Sequence, residues 1–185
     1  MSFDRLRLLH WGDDGADTIS REDFRALFRS CRRAFHLELR DAYGVDEENG
    51  PFLAWLNGEP DDYQWRTSWL AHIRAVASAG VIVQRLRVVT EPHTDYVRWE
   101  LAMDPANIEA GEDVRYLPRH QAKDILFPDE DCWLFDDDVL VLSLFQSDGR
   151  SGGFALAHDS GLLGRYRRVR DTAWHRAIPS TDYAV

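Results

Sequence analysis

Apolar residues recur at intervals of three and four along several stretches of the chain, which is the period of a helix with one buried face. The first such stretch follows Ser20, and the acid at Asp23 makes this start a variant of the capping box that opens many helices. The apolar positions at this spacing are Phe24, Leu27, Phe28, Cys31 and Phe35. The pattern therefore predicts a helix that runs from Ser20 to about Glu38.

The same helix would carry a stripe of cations, because an arginine recurs at every fourth position. The stripe consists of Arg21, Arg25, Arg29 and Arg33. A solvated helix face is the favoured interpretation, and contact with an acidic partner or a phosphate is the alternative.

Two further helices are indicated before the first clear strand. A short one ends at Asn57-Gly58, and a longer one begins at Asp61 or Asp62 and ends at Gly80. The apolar face of the longer helix consists of Trp65, Trp69, Leu70, Ile73, Val76 and Ala77.

A terminal amphipathic helix begins at Asp159 and is stopped by Pro179. The segment TDYVRWELAMD also has helical spacing, although its Tyr, Val and Trp residues suit a strand equally well.

Alternating positions predict the strands. In VIVQRLRVVTE, Arg85 and Arg87 lie on one side, with Leu86 and Val88 on the other. The segments CWLF, DVLVLSLF and FALAH are also predicted to be strands. The order of elements indicates an α/β or α+β fold, in which a central mixed sheet is flanked by helices. We expect one domain over residues 1–185, with an irregular segment at 1–19.

Composition and charge limit the classes of protein to which this chain can belong. The 185 residues are 44% hydrophobic, so the chain can bury a core. The net charge of −10 argues against broad nucleic-acid binding and favours a basic protein as partner. Long apolar runs and a signal sequence are absent, which predicts a cytoplasmic protein that does not span a membrane. Cys31 and Cys132 are too far apart in sequence to indicate a disulfide framework or a zinc site.

One stretch is rich in acids: DEDCWLFDDD, from Asp129 to Asp138. Its carboxylates could bind Mg²⁺ or Ca²⁺, but their spacing differs from that of an EF-hand loop. The favoured interpretation is a strand with solvated acidic shoulders, in which Trp133 alternates with its neighbours and Asp131 and Asp136 flank it. We expect no metal and no cofactor, and the chain contains no GxxxxGK[ST], GxGxxG or GxSxG motif.

A second candidate site mixes charges with aromatic residues. Its members are Arg85, Arg87, Glu91, Asp95, Tyr96, Arg98, Trp99, Glu100, Arg115, Tyr116 and Arg119. Charges beside buried strands usually pair with one another, which predicts a structural ion-pair network. The alternative is a pocket in which the arginines bind a phosphate or a carboxylate.

Five motifs together carry a resemblance to a known family. They are FHLELRDAYGV, WLNGEPDD, RLRVVTEPHTDYVRWEL, NIEAGEDVRYLPR and DEDCWLFDD. The chain resembles, over residues 24–178, a family of actinobacterial proteins classed as a domain of unknown function. The resemblance implies an accessory protein, often encoded beside a helix-turn-helix regulator of the Xre type, and it implies no established reaction.

A weaker resemblance is to one half of a phospholipase D fold, in which a helix leads into a strand such as residues 79–83. That resemblance places Asp131 at the position of the histidine nucleophile, Trp133 at that of the lysine and Asp138 at that of the acid. Without the histidine and the lysine, the usual covalent phosphoryl transfer cannot run. The resemblance therefore implies a phospholipase D-like scaffold without that activity.

Two functional hypotheses follow. In the first, a non-enzymatic regulatory or interaction protein binds a basic partner such as a helix-turn-helix regulator, and the sequence is also compatible with a homodimer. In the second, a receptor or enzyme binds a phosphorylated or carboxylated ligand through an Arg/Glu cluster. The candidate binding residues are Arg85, Arg87, Glu91, Tyr96, Arg98, Glu100, Arg115, Arg119, Asp131, Trp133 and Asp136.

Overall fold

The computed structural model describes residues 16–183, which build one eight-stranded sheet with helices on both faces. The strands are β1 (Ala16–Ile19), β2 (Arg33–Glu38), β3 (Ile82–Val89), β4 (Glu112–Pro118), β5 (Asp131–Phe135), β6 (Val139–Phe145), β7 (Ser151–Ala157) and β8 (Ile178–Pro179). The helices are α1 (Arg21–Leu27), α2 (Asp46–Leu56), α3 (Thr67–Ser78), α4 (Asp95–Glu109) and α5 (Ser160–Arg176). Short 3₁₀ helices occupy Gln64–Arg66 and Arg119–Gln121.

The sheet is mixed, with the strand order β1-β7-β6-β5-β2-β3-β4-β8. Strands β2, β3 and β4 are parallel, and the remaining pairs are antiparallel. Helices α2 and α3 connect β2 to β3, and α4 connects β3 to β4. The predicted α/β fold with a central mixed sheet is therefore confirmed. Within residues 16–183, no helix has the length and apolar character to cross a membrane.

The predicted helix from Ser20 to Glu38 is wrong in its second half. The capping box at Ser20 is present, but α1 ends at Leu27, and Arg33–Glu38 form the central strand β2. Phe35 and Leu37 lie on one face of the sheet, in register with residues of β3 and β5. A spacing of seven, from Phe28 to Phe35, fits a helix by coincidence, and tertiary burial on both faces of the sheet overrides it.

The arginine stripe does not form, because its last two members leave the helix. Arg29 lies in the turn after α1, and Arg33 is the first residue of β2. Three other strands were also not predicted, and one of them is β8 (Ile178–Pro179). Of the irregular segment expected at 1–19, residues 16–19 form β1, and residues 1–15 lie outside the described residues. The charged segment at 112–118 forms β4.

Most of the other elements are confirmed. Helix α2 ends before Asn57-Gly58, where Gly58 has a φ of 74° that glycine adopts without strain. Asp159 caps α5 by accepting a hydrogen bond from the backbone N–H of Leu162 at 2.6 Å. The ambiguous segment TDYVRWELAMD is helical and forms most of α4, with Thr94 as its N-cap.

The two faces of the sheet differ in chemistry. The α5 face, which packs under helix α5, is apolar, and its buried side chains include Leu37, Leu86, Leu134 and Leu142. The opposite face, called here the mixed face, is covered by α1 and α3 at one end, where Trp133 and Phe135 are buried. Farther along β3 the mixed face carries buried charges beneath α4. As predicted, Trp133 and Phe135 alternate with Cys132 and Leu134 across the sheet.

Candidate functional site

Buried ion pairs form the centre of the mixed face. Strand β3 places Arg85 and Arg87 on this face, and Glu38 of the adjacent β2 lies between them. Arg85 Nη1 lies 2.5 Å from Glu38 Oε1, and Arg85 Nε lies 3.0 Å from Oε1 of Glu112 on β4. Arg87 Nε lies 2.8 Å from Glu38 Oε2. Carboxylates from both neighbouring strands therefore already occupy the two guanidinium groups.

Helix α4 supplies two further carboxylates to this network. Glu100 Oε1 lies 3.2 Å from Arg87 Nε, and Asp104 Oδ1 lies 2.6 Å from Arg87 Nη1. Asp104 Oδ2 also accepts hydrogen bonds from the hydroxyl of Tyr116 at 2.8 Å and from that of Ser180 at 2.7 Å. The network thus joins α4, the sheet and the end of the described chain.

The carboxyl groups of the network differ in the direction of their pKa shifts. Burial alone would raise the pKa of Glu38, but Arg85 and Arg87 outweigh it and hold that pKa at about 2. Burial raises the pKa of Glu100 well above its usual range, against the opposing effect of Arg87. Burial likewise raises the pKa of Glu112. Burial and the neighbouring arginines therefore shift the pKa values of these carboxyl groups in opposite directions.

The remaining predicted arginines do not join the network. Arg98 pairs with Asp95 on the exposed side of α4, at 2.7 Å. Arg115 Nη2 lies 3.0 Å from Asp113 Oδ2 on the same strand. Arg119 donates to the carbonyl oxygens of Leu39 at 2.6 Å and Val88 at 2.8 Å. The arginines that were expected to converge on one ligand are thus dispersed, and each has partners within the protein.

Two other predicted site residues have structural partners. The hydroxyl of Tyr96 donates a hydrogen bond to Glu48 of α2, which ties α2 to α4. Glu91 accepts a hydrogen bond from the hydroxyl of Tyr183 at 2.8 Å.

The acid-rich stretch is a buried strand whose flanking acids bind backbone groups. Trp133 is buried, as predicted. Asp131 accepts hydrogen bonds from the Leu39 backbone N–H at 2.8 Å and the Tyr43 hydroxyl at 2.6 Å. Burial raises the pKa of Asp131 to about 7. The prediction of a solvated shoulder is therefore wrong at Asp131.

Asp136 is not a solvated shoulder either. Its Oδ1 accepts hydrogen bonds from the backbone N–H groups of Arg32 and Arg33, both at 2.9 Å, and thereby fixes the start of β2. Among residues 16–183, no group of three or more His, Cys, Asp or Glu side chains could hold a metal ion.

An acidic surface lies on α2 and the loop that follows it. Residues 46–62 contain six carboxyl groups and no Lys, Arg or His. Glu48 points inward to Tyr96, and the exposed Glu47 pairs with Arg21 at 3.1 Å. The other exposed acids are Asp46, Glu59 and Asp62, of which Asp62 accepts a hydrogen bond from the Gln64 backbone N–H at 3.0 Å. Residues 46–62 are called the acidic surface below.

Helix α2 is held by aromatic contacts on one side and is open on the other. Phe52 packs on the ring of Trp99 with centroids 5.2 Å apart, yet no residue of α2 is fully buried. On the outer side, Leu53 and Leu56 are 59% and 45% exposed. The outer side of α2 therefore exposes two leucines beside the acids of the same segment.

A groove of about 620 Å³ separates α2 from the loop that follows it. Its lining combines apolar and acidic residues: Pro51, Ala54, Pro60, Asp61, Asp62, Gln64 and Trp65. Asp61 stiffens one wall by accepting hydrogen bonds from the Tyr63 backbone at 2.7 Å and the Trp65 indole N–H at 3.0 Å. The groove is therefore an apolar depression with an acidic rim.

Sequence reasoning did not select the acidic surface, although a signal for it exists. Residues 46–62 lie in one of the two longest stretches without Lys, Arg or His in a chain with 22 Lys and Arg residues, and the other such stretch is residues 124–149. Attention to charge balance in short windows would have found it.

Comparisons with known proteins show the family of the chain. No curated protein matches it. Among solved structures, Nuc from Salmonella typhimurium, a phospholipase D family member, is similar with a TM-score of 0.48 and 9% identity, over 86% of this chain and 89% of that chain. A family model matches residues 22–185, and the chain therefore belongs to the family described as a domain of unknown function, DUF6879.

Proposed function

We propose that this chain is a non-enzymatic interaction protein that binds a basic segment of a partner protein on its acidic surface. The observation that carries the proposal is the composition of residues 46–62, which expose carboxylates and leucines and contain no cation. A partner segment that combines cations with an apolar side chain would match both the acidic rim and the apolar lining of the groove.

The buried network supports this proposal because its arginines are already paired and are not available to bind a ligand. Arg85 and Arg87 already contact carboxylates of the protein, so neither presents an empty fork to a phosphate or carboxylate ligand. Opening the network to a ligand would leave a buried charge without its partner, which is costly. The receptor hypothesis thus gains no support from the residues on which it was based.

The candidate partner is a helix-turn-helix regulator, which the family resemblance implies. DNA-binding proteins carry clustered Lys and Arg residues, so such a partner would offer the required positive charge. An acidic protein that covers these cations would also compete with DNA for the regulator. Direct binding of this chain to nucleic acid is not part of the proposal.

The experiment measures binding of a helix-turn-helix regulator of the Xre type at 50 mM and 500 mM salt. We expect affinity to fall by more than tenfold at the higher salt, because screening weakens attraction between exposed charges. The variant Glu59→Lys should weaken binding at low salt. The control is Glu109→Lys, an exposed acid at the end of α4 with the same change of charge.

A steric variant tests whether binding depends on the acidic surface itself or only on the net charge of the protein. A Cβ built on Gly50 of α2 meets no atom within 4 Å, so Gly50→Gln adds an uncharged side chain without a clash. We expect Gly50→Gln to weaken binding while the protein stays folded. No association at low salt, or equal losses for Glu59→Lys and Glu109→Lys, would contradict the proposal.

A further inference from the structure

The end of the described chain is fastened across β4 onto the loop between β3 and α4. Strand β8 pairs with β4, and the Ser180 backbone N–H donates to the Val114 carbonyl at 2.8 Å. The ring of Tyr183 stacks on Tyr116 with a centroid separation of 4.8 Å and an interplanar angle of 5°. Residues 178–183 are called the C-terminal clasp below.

Three hydrogen-bond contacts in series fasten Tyr183. Its hydroxyl oxygen lies 2.8 Å from Glu91 Oε1 and 3.0 Å from His93 Nε2. The other ring nitrogen of His93, Nδ1, lies 3.0 Å from the carbonyl oxygen of Thr90. The side chains of His93 and Tyr183 are both largely buried, so water does not readily replace these partners.

These three contacts need one hydrogen more than an ionised Glu91, a neutral Tyr183 and a neutral His93 supply. The carbonyl of Thr90 only accepts, so His93 Nδ1 must carry a hydrogen. The hydroxyl of Tyr183 has a single hydrogen, which can serve either Glu91 or His93. If His93 is neutral and Glu91 is ionised, one of the two contacts at Tyr183 has no hydrogen.

The missing hydrogen can reside at either end of the series. With His93 as imidazolium, Nε2 donates to the Tyr183 oxygen, and Tyr183 donates to the Glu91 carboxylate. With Glu91 protonated, Glu91 donates to Tyr183, and Tyr183 donates to a neutral His93. Both arrangements satisfy all three contacts, and both contain one bound proton.

We propose that the C-terminal clasp is a proton-dependent latch, which is closed when the Glu91, His93 and Tyr183 series holds one extra proton and loosens when that proton leaves. Loss of the proton deprives Tyr183 of one of its two hydrogen bonds. The clasp is then still held by the stack of Tyr183 on Tyr116 and by the pairing of β8 with β4.

Charged groups on every neighbouring element surround the latch. On the 3₁₀ helix after β4, His120 Nδ1 lies 3.3 Å from Glu91 Oε2, and Arg119 Nε lies 3.4 Å from Thr90 Oγ1. On the loop after β2, Asp41 Oδ1 accepts a hydrogen bond from the Thr90 backbone N–H at 2.7 Å. The other neighbours are Asp104 of α4, Arg87 of β3, Asp182 of the clasp, and the exposed pair of Asp95 and Arg98. His120 and Glu91 are partly exposed, so protons can exchange with solvent at that end of the series.

Opening the latch would uncover the edge of the buried ion-pair network. Tyr183 covers Tyr116, whose hydroxyl donates to Asp104 and lies 3.0 Å from Arg87 Nη1. Ser180 of the clasp also donates to Asp104. The latch therefore controls the access of water to the network from this side.

The experiment measures backbone hydrogen exchange of residues 180–183 at pH 6 and pH 8.5, across the range in which histidine changes charge. Protection factors, which correct for the intrinsic pH dependence of exchange, are compared with those of β5 and β6. We expect protection of the clasp to fall about tenfold at the higher pH relative to these strands, as one hydrogen bond is lost.

The decisive variant is Glu91→Gln. An amide at this position donates to the Tyr183 oxygen, and Tyr183 can then donate to a neutral His93, so all three contacts form without an extra proton. Protection of the clasp in Glu91→Gln should therefore be high and nearly equal at both pH values. Tyr183→Phe, which keeps the ring stack and removes the hydroxyl, should give low protection at both.

The control is Asp95→Asn, which removes a nearby exposed acid and should keep the pH response of the parent. Equal protection at pH 6 and pH 8.5 in the parent chain would overturn the proposal. An unchanged pH response in Glu91→Gln would overturn it as well.

Discussion

The two faces of the central sheet are stabilised by different forces. The α5 face buries aliphatic side chains such as Leu86 and Leu142, whose contribution is nearly independent of pH. The mixed face buries Arg85, Arg87 and Glu38, whose contribution depends on complete pairing and on protonation. Such a network adds little to the net free energy of unfolding. Removing one member, however, leaves its charged partner buried in the low-dielectric interior without a counter-charge. The mixed face is therefore the more fragile side of the molecule.

The largest effect is expected where the mixed face is apolar. Trp133 is buried against Phe28 and stacks on His36, with centroids 5.1 Å and 4.1 Å away. Trp133→Ala should lower the free energy of unfolding by about 3–5 kcal/mol, measured by urea denaturation. Leu142→Ala on the α5 face is the matched comparison, at about 2–5 kcal/mol. A loss below about 1 kcal/mol for Trp133→Ala would show that packing does not hold this end of the mixed face.

The next effect tests the charged part of the mixed face. Glu38→Gln keeps the shape of the side chain and removes the charge shared by Arg85 and Arg87, which should cost about 3 kcal/mol. Because the pKa of Glu38 is lowered to about 2, its stabilisation is present above its usual pKa of 4.5 and is lost as the pH falls toward 2. The acid side of the stability profile should therefore flatten in Glu38→Gln. Glu59→Gln, an exposed acid, should leave the profile unchanged.

Asp131 should respond to pH in the opposite direction. Its pKa is raised from 3.8 to about 7, so the folded state binds this proton more tightly than the unfolded state does. The corresponding stability is present below pH 3.8 and is lost as the pH rises to about 7, at roughly 1.4 kcal/mol per unit of pKa shift at most. Asp131→Asn should make the decline between pH 4 and pH 7 shallower in thermal melts. An unchanged slope would contradict a buried, proton-binding Asp131.

The smallest effect concerns the turn that leads into β2. Asp136→Ala removes the acceptor for the backbone N–H groups of Arg32 and Arg33 and should cost about 1–2 kcal/mol. Asp136 also has a φ of 50°, a conformation that Asp and Asn tolerate better than Ala. Asp138→Ala, an exposed neighbour, is the control and should change stability by less than about 0.5 kcal/mol. Equal melting of the two variants would show that Asp136 does not fix this turn.

The elements that could be predicted from sequence are those with one environment along their length. Over residues 85–88 of β3, arginines alternate with aliphatic residues because one face of the sheet carries the ion pairs there and the other packs under α5. The helix starts at Ser20 and Asp159 could be predicted because an N-cap side chain acts within one helical turn. The two-residue alternation of CWLF likewise assigned Trp133 to the correct side of the strand, opposite Leu134.

The elements that sequence reasoning missed depend on residues far away in the chain. β2 was assigned to a helix because its apolar residues continue the spacing of α1, and only pairing with β3 and β5 makes it a strand. In the same way, Asp136 was predicted to be a solvated acid, because the backbone at the start of β2, which it binds, is far from it in the sequence.

The sequence by itself determined a fold of helices around a central mixed sheet, most of the helices, the strands β3, β5, β6 and β7, and the sides of β3 and β5 that face each layer. The tertiary structure decided which charges are partners. Glu38, Arg87 and Asp104 come from β2, β3 and α4, and only the fold brings both carboxylates within 3 Å of the Arg87 guanidinium group. Hydrophobic periodicity is a local property of the chain, whereas the pairing of charges depends on three-dimensional proximity, and a buried charge requires that proximity.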